Sequence, residues 1–403
     1  MKRYLTNIAL ILTISVTIFT LSGCEFNKKE KNEKNENNAE EIKIVENKTE
    51  KNETSKSESK VDKEDSNLKG KELPFPINIT AGFSGGRGIV YNKDTKMRVV
   101  IDNQGNIITD QYKEVGRYSE GLARYLPAGS RFINLGFIDK DGKVVIQAKY
   151  SYVRDFKEGI VFCANGSTGY IIDKTGAVLA TLKNIYGTAG EYSEGLLQIA
   201  NKDNKKGYVD KNGKVVIDFQ YDTAEEFSEG LAQVSKDGKY GFIDKQGKTV
   251  IDFIYSTGFN QFVGFHNGYA AVKKDKKVGM IDKKGNTVIN FEYDELSGYT
   301  EEGGLILAKK NGKYGYIDIK GNVVIDFQYD KAYHFSEGLA RVQKNKKEGF
   351  IDKKGNVVVD FKFDPYSGAD LDYMFSEGLA PVCKDDKYGY IDKTGKVVIG
   401  NLN

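Results

Sequence analysis

The sequence predicts an all-β chain, built as a tandem array of about nine three-stranded antiparallel β-meander repeats. Three observations support this prediction. The motif Ile-Asp-Lys-x-Gly recurs with little variation, and short segments alternate apolar and polar residues. The composition includes 44 Gly, 25 Tyr and 22 Phe among 403 residues, but no Trp. A motif that recurs every 20–50 residues or so is typical of solenoids, propellers and other arrays.

The recurring aspartate, followed three residues later by glycine, defines the period. The first and last copies, Asp102 and Asp392, lie 290 residues apart over eight intervals, an average period of about 36 residues. A second motif, Phe-Ser-Glu-Gly-Leu-Ala, is interleaved with the first and is clearest at 227–232, 335–340 and 375–380. The nine aspartates are Asp102, Asp139, Asp173, Asp210, Asp244, Asp282, Asp318, Asp352 and Asp392.

Each unit contains three predicted strands. Residues 338–344 form the first strand, a polar turn follows at 345–347, and residues 348–352 form the second strand. After the Asp-Lys-x-Gly turn comes a third strand, clearest at 215–221, where apolar and mostly polar residues alternate and so give one apolar face. A single meander of this kind is not stable alone, but stacked neighbours can cover its apolar face.

The repeated Asp and Gly are interpreted as turn residues rather than as calcium ligands. Asp is favoured at the first position of a type I turn, and Gly at the fourth, where a hairpin bulge needs a positive φ. No copy supplies the closely spaced oxygen ligands of a calcium loop, so we expect no metal site. The aromatic residue before Ser-Glu-Gly, as in Phe227, Phe335 and Phe375, is expected to anchor the core rather than to stack on a sugar.

Residues 1–23 have the features of a lipoprotein signal peptide. Lys2 and Arg3 form a positive n-region, an apolar stretch runs from about 5 to 21, and Leu-Ser-Gly precedes Cys24. An uncleaved transmembrane anchor is the alternative, although threonines and a serine dilute the apolar stretch. We expect Cys24 to be lipidated, and two acyl chains are enough for stable anchoring to the extracytoplasmic face of the cell membrane.

The segment 24–72 is predicted to be a disordered tether that begins at the lipidated cysteine. From 25 to 72 it holds 12 Lys, 12 Glu, 2 Asp and 8 Asn, with Phe26 as its one aromatic residue. Such a polyampholyte has almost nothing to bury. Residues 73–403 are predicted to be the repeat domain.

Catalysis, cofactors and nucleic-acid binding find no support in the composition. With 60 basic and 57 acidic residues the net charge is +3, whereas phosphate binders concentrate positive charge. Two histidines and the absence of hydrolase, zinc-protease or phosphate-loop motifs predict a protein that is not an enzyme. Cys163 and Cys383 could form a disulfide, but small apolar residues on strands are the preferred interpretation.

The repeated pattern resembles the WG-repeat family, also called KWG repeats. The pattern is Tyr-Gly-Tyr-Ile-Asp-Lys-x-Gly-x-Val-Val-Ile, then Tyr-Asp, then Phe-Ser-Glu-Gly-Leu-Ala-x-Val, and it covers roughly residues 83–400. The family's Trp is absent, and Tyr240, Tyr314 and Tyr388 take its place in three copies. The resemblance implies a bacterial β-repeat module, often secreted or carried on a lipoprotein, and implies no enzymatic activity.

Two arrangements of the units remain open, a curved solenoid and a closed, propeller-like ring, and we prefer the extended, curved array. The predicted function is that of a membrane-anchored lipoprotein whose repeat module binds or scaffolds protein or peptide partners in the cell envelope. The alternative is a module that binds the cell wall or a polysaccharide and uses exposed tyrosines as stacking platforms.

The longest interval between aspartates contains the first candidate ligand site. Its insertion runs from 364 to 373, and its candidate contact residues are Tyr366, Asp370, Asp372 and Tyr373. Insertions in repeat arrays collect in loops, although a drifted loop without a role is the preferred interpretation of this one.

A second candidate spans 259–266 and is apolar enough to be local core. It contains Phe259, Phe262, Phe265 and His266.

Lysine pairs at the predicted strand turns could form a basic stripe facing anionic wall polymer or lipid. The pairs are Lys205-Lys206, Lys273-Lys274 and Lys346-Lys347. The preferred interpretation is that these lysines solvate hairpin tips and protect strand edges.

Overall fold

The computed structural model describes residues 70–185, 189–256, 264–297, 304–365 and 374–403. Within these ranges the chain forms 33 β-strands and no α-helix. In the sheets, strands adjacent in sequence pair antiparallel, so that each sheet is a meander. Among the described residues there is no helix with the length and apolar character needed to cross a bilayer.

The strands form nine blades, each with three strands that we label B, C and D in chain order. Seven blades also have a first strand, A, among the described residues. The strands of blades 1–3 are β1 (Ile77–Ser84), β2 (Arg87–Asn92), β3 (Arg98–Ile101) and the first half of β4 (Ile107–Ser119); the second half of β4, β5 (Leu122–Pro127), β6 (Leu135–Asp139) and β7 (Val144–Tyr150); and β8 (Tyr152–Val153), β9 (Ile160–Asn165), β10 (Thr168–Asp173) and β11 (Val178–Lys183).

Blades 4–9 continue the same order along the chain. The strands of blades 4–6 are β12 (Tyr192–Ser193), β13 (Leu196–Ala200), β14 (Lys206–Val209) and β15 (Val215–Tyr221); β16 (Thr223–Ala224), β17 (Leu231–Lys236), β18 (Lys239–Asp244) and β19 (Thr249–Ser256); and β20 (Tyr269–Lys274), β21 (Lys277–Asp282) and β22 (Thr287–Tyr293). The strands of blades 7–9 are β23 (Glu295–Leu296), β24 (Ile306–Lys310), β25 (Lys313–Ile317) and β26 (Val323–Tyr329); β27 (Lys331–Ser336), β28 (Leu339–Lys344), β29 (Lys347–Asp352) and β30 (Val357–Phe363); and β31 (Ala380–Lys384), β32 (Lys387–Ile391) and β33 (Val397–Gly400).

The three predicted strands of each unit are therefore present, and strand A is an addition that the sequence did not reveal. In blades 2, 3, 5, 7 and 8, strand A follows the preceding blade's strand D with at most one residue between them. In β4 the two are one unbroken strand, because Val100 of β3 pairs with Thr109 and Tyr125 of β5 pairs with Val115. In most other blades strand A is short, and two residues suffice in β16.

The Asp-x-x-Gly segments are turns, as predicted. In all nine copies the glycine N–H donates to the aspartate carbonyl at 2.9–3.0 Å. In the copy at Asp244, the side-chain Oδ1 also accepts the N–H groups of Gln246 and Lys248, at 3.0 and 2.9 Å. Gly247 has a φ of +79°, a conformation that glycine adopts without steric cost. The carboxylates therefore stabilise the turns.

The hydrophobic core lies between blades rather than inside them. The described residues form nine apolar clusters, and each cluster joins strands of two adjacent blades. Between blades 4 and 5, Tyr208 packs on Phe227 with ring centroids 4.9 Å apart. Phe227, Phe335 and Phe375 are buried, which confirms that the aromatic residue before Ser-Glu-Gly anchors the core.

The ring is closed, so our preference for an extended array is wrong. Phe83 of blade 1 packs on Tyr390 of blade 9 with centroids 5.0 Å apart, and Tyr390 Oη donates to the Ala81 carbonyl at 2.9 Å. Blades 4 and 5 make the same contacts, because Tyr208 packs on Phe227 and its Oη donates to the Glu225 carbonyl. The periodicity of the sequence is the same for both arrangements, and only these contacts between the two ends distinguish them.

The described fold begins at Gly70, three residues inside the segment predicted to be tether. Lys71 pairs with Ile399 of β33 in a parallel bridge, so the last blade gains an extra edge segment. Cys163 and Cys383 are buried, lie on β9 and β31, and are not joined in a disulfide. This confirms their interpretation as small apolar residues on strands.

Candidate interaction surface

The Ser-Glu-Gly turns between strands A and B link each blade to the next. In Ser228-Glu229, the serine Oγ donates to the Phe265 carbonyl at 2.5 Å, and the glutamate accepts the Gly268 N–H at 2.9 Å. Lys283 of the same neighbouring blade adds an ion pair to Glu229 at 2.9 Å. The polar side chains of this motif are therefore used to hold blades together.

The same links recur around the ring and across its closure. The serine bonds, at 2.5–2.7 Å, join Ser84 to Tyr118, Ser119 to Phe156, Ser193 to Phe227, Ser228 to Phe265, Ser336 to Phe375 and Ser376 to Phe83. The glutamates that accept the next glycine N–H are Glu120, Glu158, Glu194, Glu229, Glu337 and Glu377. We find no reason to assign a ligand to this motif.

The opposite end of the ring carries the B–C turns and the bends from strand D into strand A, and we call it the BC face. Antiparallel strands alternate in direction, so these two kinds of connection lie at the same end of every blade. At the bend after blade 6, Asp294 accepts Lys277 Nζ of its own blade at 2.6 Å and the Gly312 N–H of blade 7 at 3.2 Å. One carboxylate thus links two adjacent B–C turns, and we call such a carboxylate a staple.

Three further bends carry the same staple. Asp330 accepts Lys313 Nζ at 2.5 Å and the Asn345 N–H at 2.9 Å. Asp364 accepts Lys347 Nζ and the Asp385 N–H, and Asp222 accepts Lys205 Nζ and the backbone of the next B–C turn. Hydrogen bonds from the lysines lower the pKa of all four carboxyl groups.

These staples predict a loss of stability in acid. A carboxyl group whose pKa is lowered by folding stabilises the fold above its unfolded pKa of 3.8, and this contribution disappears as the pH falls through the lowered value. A variant with Asn in place of Asp294, Asp330 and Asp364 should unfold at a lower temperature than the natural chain at pH 7. The difference should shrink at a second, lower pH, below the lowered pKa values, where these carboxyl groups are protonated in the natural chain as well. An equal difference at both pH values, in thermal unfolding followed by circular dichroism, would contradict the staples.

The lysine pairs of the B–C turns lie on the BC face, where two of these lysines form ion pairs. Lys205 and Lys347 hold the staples Asp222 and Asp364. The surface at these turns therefore combines both signs of charge. This arrangement agrees with the interpretation that the lysines solvate the hairpin tips. Binding of an anionic polymer by a basic stripe stays a prediction.

A long B–C loop in blade 2 departs from the repeat. Strands B and C are joined by two residues in blades 5, 6 and 8, whereas residues 128–134 join β5 to β6. This loop exposes Phe132 and Ile133, with 77% and 62% of their surfaces accessible, next to the exposed Arg131. Single exposed apolar residues are normal on a protein surface, but an aromatic and an aliphatic residue together at the tip of an inserted loop form a candidate contact site.

Phe132 also differs from every other aromatic residue that the structure describes. Each tyrosine in the described ranges is buried or partly buried, including Tyr240, Tyr314 and Tyr388 at the family's Trp position. Burial raises the pKa of Tyr314, in keeping with a packed ring. The described surface therefore offers no exposed tyrosine as a platform for sugars.

Most of the sequence-predicted site residues cannot be placed. Tyr366, Asp370, Asp372 and Tyr373 lie outside the described residues, as does Cys24.

In the second candidate, Phe259 and Phe262 also lie outside the described residues. Phe265 is fully buried against Phe242, as expected of core, and His266 is only partly exposed at the following turn.

A cleft of about 200 Å³ lies where blades 1 and 9 meet, lined by Leu73, Phe75, Lys93 and Tyr388 among others. Small-molecule sites usually have volumes of about 300–1,000 Å³, so this cleft is small for an organic substrate. In the ranges that the structure describes, no three His, Cys, Asp or Glu side chains are grouped to hold a metal ion. The protruding loop of blade 2 and the rest of the BC face are thus the features that differ most from the regular repeat.

Comparison with solved structures finds similar chains of low sequence identity. The chain is similar to a eukaryotic initiation factor, with 12% identity and a TM-score of 0.53, over 72% of this chain and 88% of the other. It is also similar to BamB from Moraxella catarrhalis, with 11% identity and a TM-score of 0.41, over 70% and 94% of the two chains. The C-terminal WD40 domain of Sif2 has 8% identity and a TM-score of 0.38, over 61% and 83%. The first of these likenesses extends to the fold alone.

No curated protein matches the sequence. A family model described as "WG containing repeat" does match, at residues 100–126, 136–163, 207–240, 240–277, 279–314, 314–347, 349–388 and 388–400. The interruption between 126 and 136 coincides with the exposed loop of blade 2. Because these matches cover more than half of the chain and follow its blades, the chain belongs to the WG containing repeat family.

Proposed function

We propose that this protein is a membrane-anchored, extracytoplasmic lipoprotein whose nine-bladed ring is a non-catalytic binding module for protein partners in the cell envelope. The observation that carries the proposal is the loop at residues 128–134, where Phe132 and Ile133 are exposed. Aromatic and aliphatic side chains of this kind are typical anchors of protein interfaces, where they fill pockets on the partner. The predicted lipidation of Cys24 would hold the ring at the membrane by a tether.

The ring itself supports a binding role. Its cores lie between blades, and its repeated polar motifs hold adjacent blades together, so the fold is rigid wherever the motifs recur. A rigid ring can display an irregular loop without a large cost in conformational entropy on binding. Loops placed on rigid scaffolds carry function in many proteins.

The test is photo-crosslinking on intact cells, with a photoreactive residue in place of Ser130. The expected result is a specific cross-linked envelope protein, identified by mass spectrometry, and loss of most of this product when Phe132→Ser and Ile133→Ser are combined. Val178→Ser with Leu179→Ser is the control, because these two adjacent residues also expose apolar side chains, in blade 3 and outside the loop. Equal cross-linking by both double variants would contradict a role for the loop.

The polysaccharide alternative has a separate measurement. Purified full-length protein is sedimented with cell-wall sacculi at low and at high salt. Retention that survives high salt would favour a wall polymer as ligand, whereas retention lost with salt would indicate unspecific attraction to the lysine turns. We expect no retention that survives high salt, because the described tyrosines are all packed.

A further inference from the structure

Residues 70–76, which we call the strap, cover the outer edge of the last blade. The Lys71 N–H donates to the Val398 carbonyl at 2.8 Å, and the Gly400 N–H donates to the Lys71 carbonyl at 2.8 Å. Leu73 and Phe75 pack on the apolar cluster between blades 9 and 1. The strap is thus an extended segment that pairs in parallel with strand D of blade 9 in the same chain.

Among the described residues, no strand D of another blade carries a strap, and the second apolar residue of strand D shows the difference. Val398 of blade 9 packs on the same cluster as Leu73 and Phe75 and is only partly exposed, whereas the residues at the same position of blades 2, 3, 4, 7 and 8 are 41–45% exposed. These residues are Val145, Leu179, Val216, Val324 and Val358. In blades 3 to 8 strand D is also the last strand of its sheet, so within the described part of the chain its outer backbone edge faces no other strand. An open edge beside exposed apolar side chains is a template for an added strand.

Up to Ile325 the edge of blade 7 has the same register as the edge that the strap covers. Ile325 of β26 pairs with Tyr316, as Ile399 of β33 pairs with Tyr390, although the two strands differ in register after this pair. The carbonyl oxygen of each isoleucine lies against the glycine of its strand C, so the N–H on the other side of the same peptide plane points outwards. The groups equivalent to the Val398 carbonyl and the Gly400 N–H are therefore the Val324 carbonyl and the Asp326 N–H.

A lysine of the strap contacts the neighbouring blade. Lys71 Nζ donates to Asn106 Oδ1 at 2.5 Å, while the Asn106 amide donates to Asp102 Oδ2 at 2.7 Å. Next to the edge of blade 7, Asn356 donates the same amide bond to Asp352 at 2.8 Å, so its carbonyl oxygen is placed to accept a lysine.

The next groove along the chain differs at this position. The edge of blade 8 has equally exposed valines, but there the corresponding residue of the neighbouring turn is Lys396. Lysine at this position would repel a lysine in the added strand. The two grooves therefore form a matched pair within one chain.

We propose that the groove between residues 323–326 of β26 and the turn at 352–356 binds an extended peptide of a partner protein by parallel β-augmentation. The strap defines the chemistry of this peptide as Lys-x-Leu-x-Phe, in which the lysine meets Asn356 and the apolar residues cover Val323 and Val324. This inference rests on the proposed function and names a second contact for the same partner class.

The test uses the full-length protein and a fluorescent synthetic peptide with the strap sequence Gly-Lys-Glu-Leu-Pro-Phe-Pro, with a photoreactive phenylalanine in the Phe position. We expect saturable binding and cross-links to β26 and the 352–356 turn. Asn356→Lys should weaken binding about tenfold, because a charge-assisted hydrogen bond is replaced by repulsion. Lys396→Asn should create a second cross-linked site on the edge of blade 8.

Asp326 provides a backbone test with its own control. Asp326→Pro removes the outward N–H while leaving the bonds to β25 intact, since proline is tolerated on edge strands. It should weaken the peptide about fivefold, the value of one ordinary hydrogen bond, whereas Asp326→Ala should leave the affinity nearly unchanged. The thermal unfolding of each variant checks that the ring is folded.

Three results would overturn the proposal. The first is no saturable binding up to about 1 mM peptide. The second is cross-linking confined to β33, which would mean that the strap exchanges with a second copy of the chain. The third is unchanged binding in Asn356→Lys and Asp326→Pro. If the peptide does not bind while cross-linking through the blade 2 loop persists, only the proposed β-augmentation is contradicted. If neither is observed, the proposed binding function itself is contradicted.

Discussion

Replacing Glu348 with valine is expected to destabilise the ring by about 3–5 kcal/mol, because it leaves a buried arginine without its counter-ion. Arg341 and Glu348 lie on strands B and C of blade 8, with side chains only 1% and 2% exposed. Arg341 Nη1 donates to Glu348 Oε2 at 2.8 Å, and Arg341 Nη2 donates to the Pro381 carbonyl of blade 9. The measurement is the free energy of unfolding in urea at pH 7.

The double variant Arg341→Met with Glu348→Val is the control for this prediction. Replacing a whole buried ion pair by apolar residues is often neutral or stabilising, so the double variant should recover most of the loss. Blade 6 shows that the positions accept apolar residues, since Ala271 and Val278 are both buried there. A single variant that loses less than about 1 kcal/mol, or a double variant as unstable as the single one, would show that the pair is not what holds this interface.

The repeats could be predicted because each unit contains its own local signal. Asp and Gly determine the C–D turn through backbone geometry within five residues, and the alternation of apolar and polar residues determines strand D. Both features can therefore be predicted from any single copy of the repeat. Strand A was missed because in most blades it directly follows the preceding strand D, and in β16 it is only two residues long. Its existence depends on pairing with strand B rather than on any preference of its own residues.

Ring closure and the exposed loop could not be predicted, for different physical reasons. Closure depends on contacts such as Phe83 with Tyr390, which are 307 residues apart and leave the period unchanged. The loop was hidden because Asp102 and Asp139 are 37 residues apart, close to the average period. The average is itself raised by other long intervals, such as the 40 residues from Asp352 to Asp392, so the extra residues of the loop do not stand out. A signal was present in the apolar pair Phe132-Ile133 between polar residues, where most other units have a two-residue turn.

Closure makes a further prediction, that Phe83→Ala will cost as much stability as Phe227→Ala. Both phenylalanines precede the turn between strands A and B, and both are at most 2% exposed. Each packs on a tyrosine of the preceding blade, with ring centroids about 5 Å apart. Removing a buried phenylalanine typically costs about 3–5 kcal/mol, through lost burial and the cavity left behind. Urea unfolding of the two variants gives the comparison directly.

The expected equality follows from the topology of the ring. In an open array Phe83 would lie on the terminal blade with no blade 9 against it, and its truncation would cost only a fraction of the internal value. In the closed ring the interface between blades 9 and 1 is an internal one, with the same serine bond, tyrosine bond and aromatic pair as the interface between blades 4 and 5. A loss for Phe83→Ala below about 1 kcal/mol, beside a full loss for Phe227→Ala, would therefore mean that the ring opens at this seam in solution.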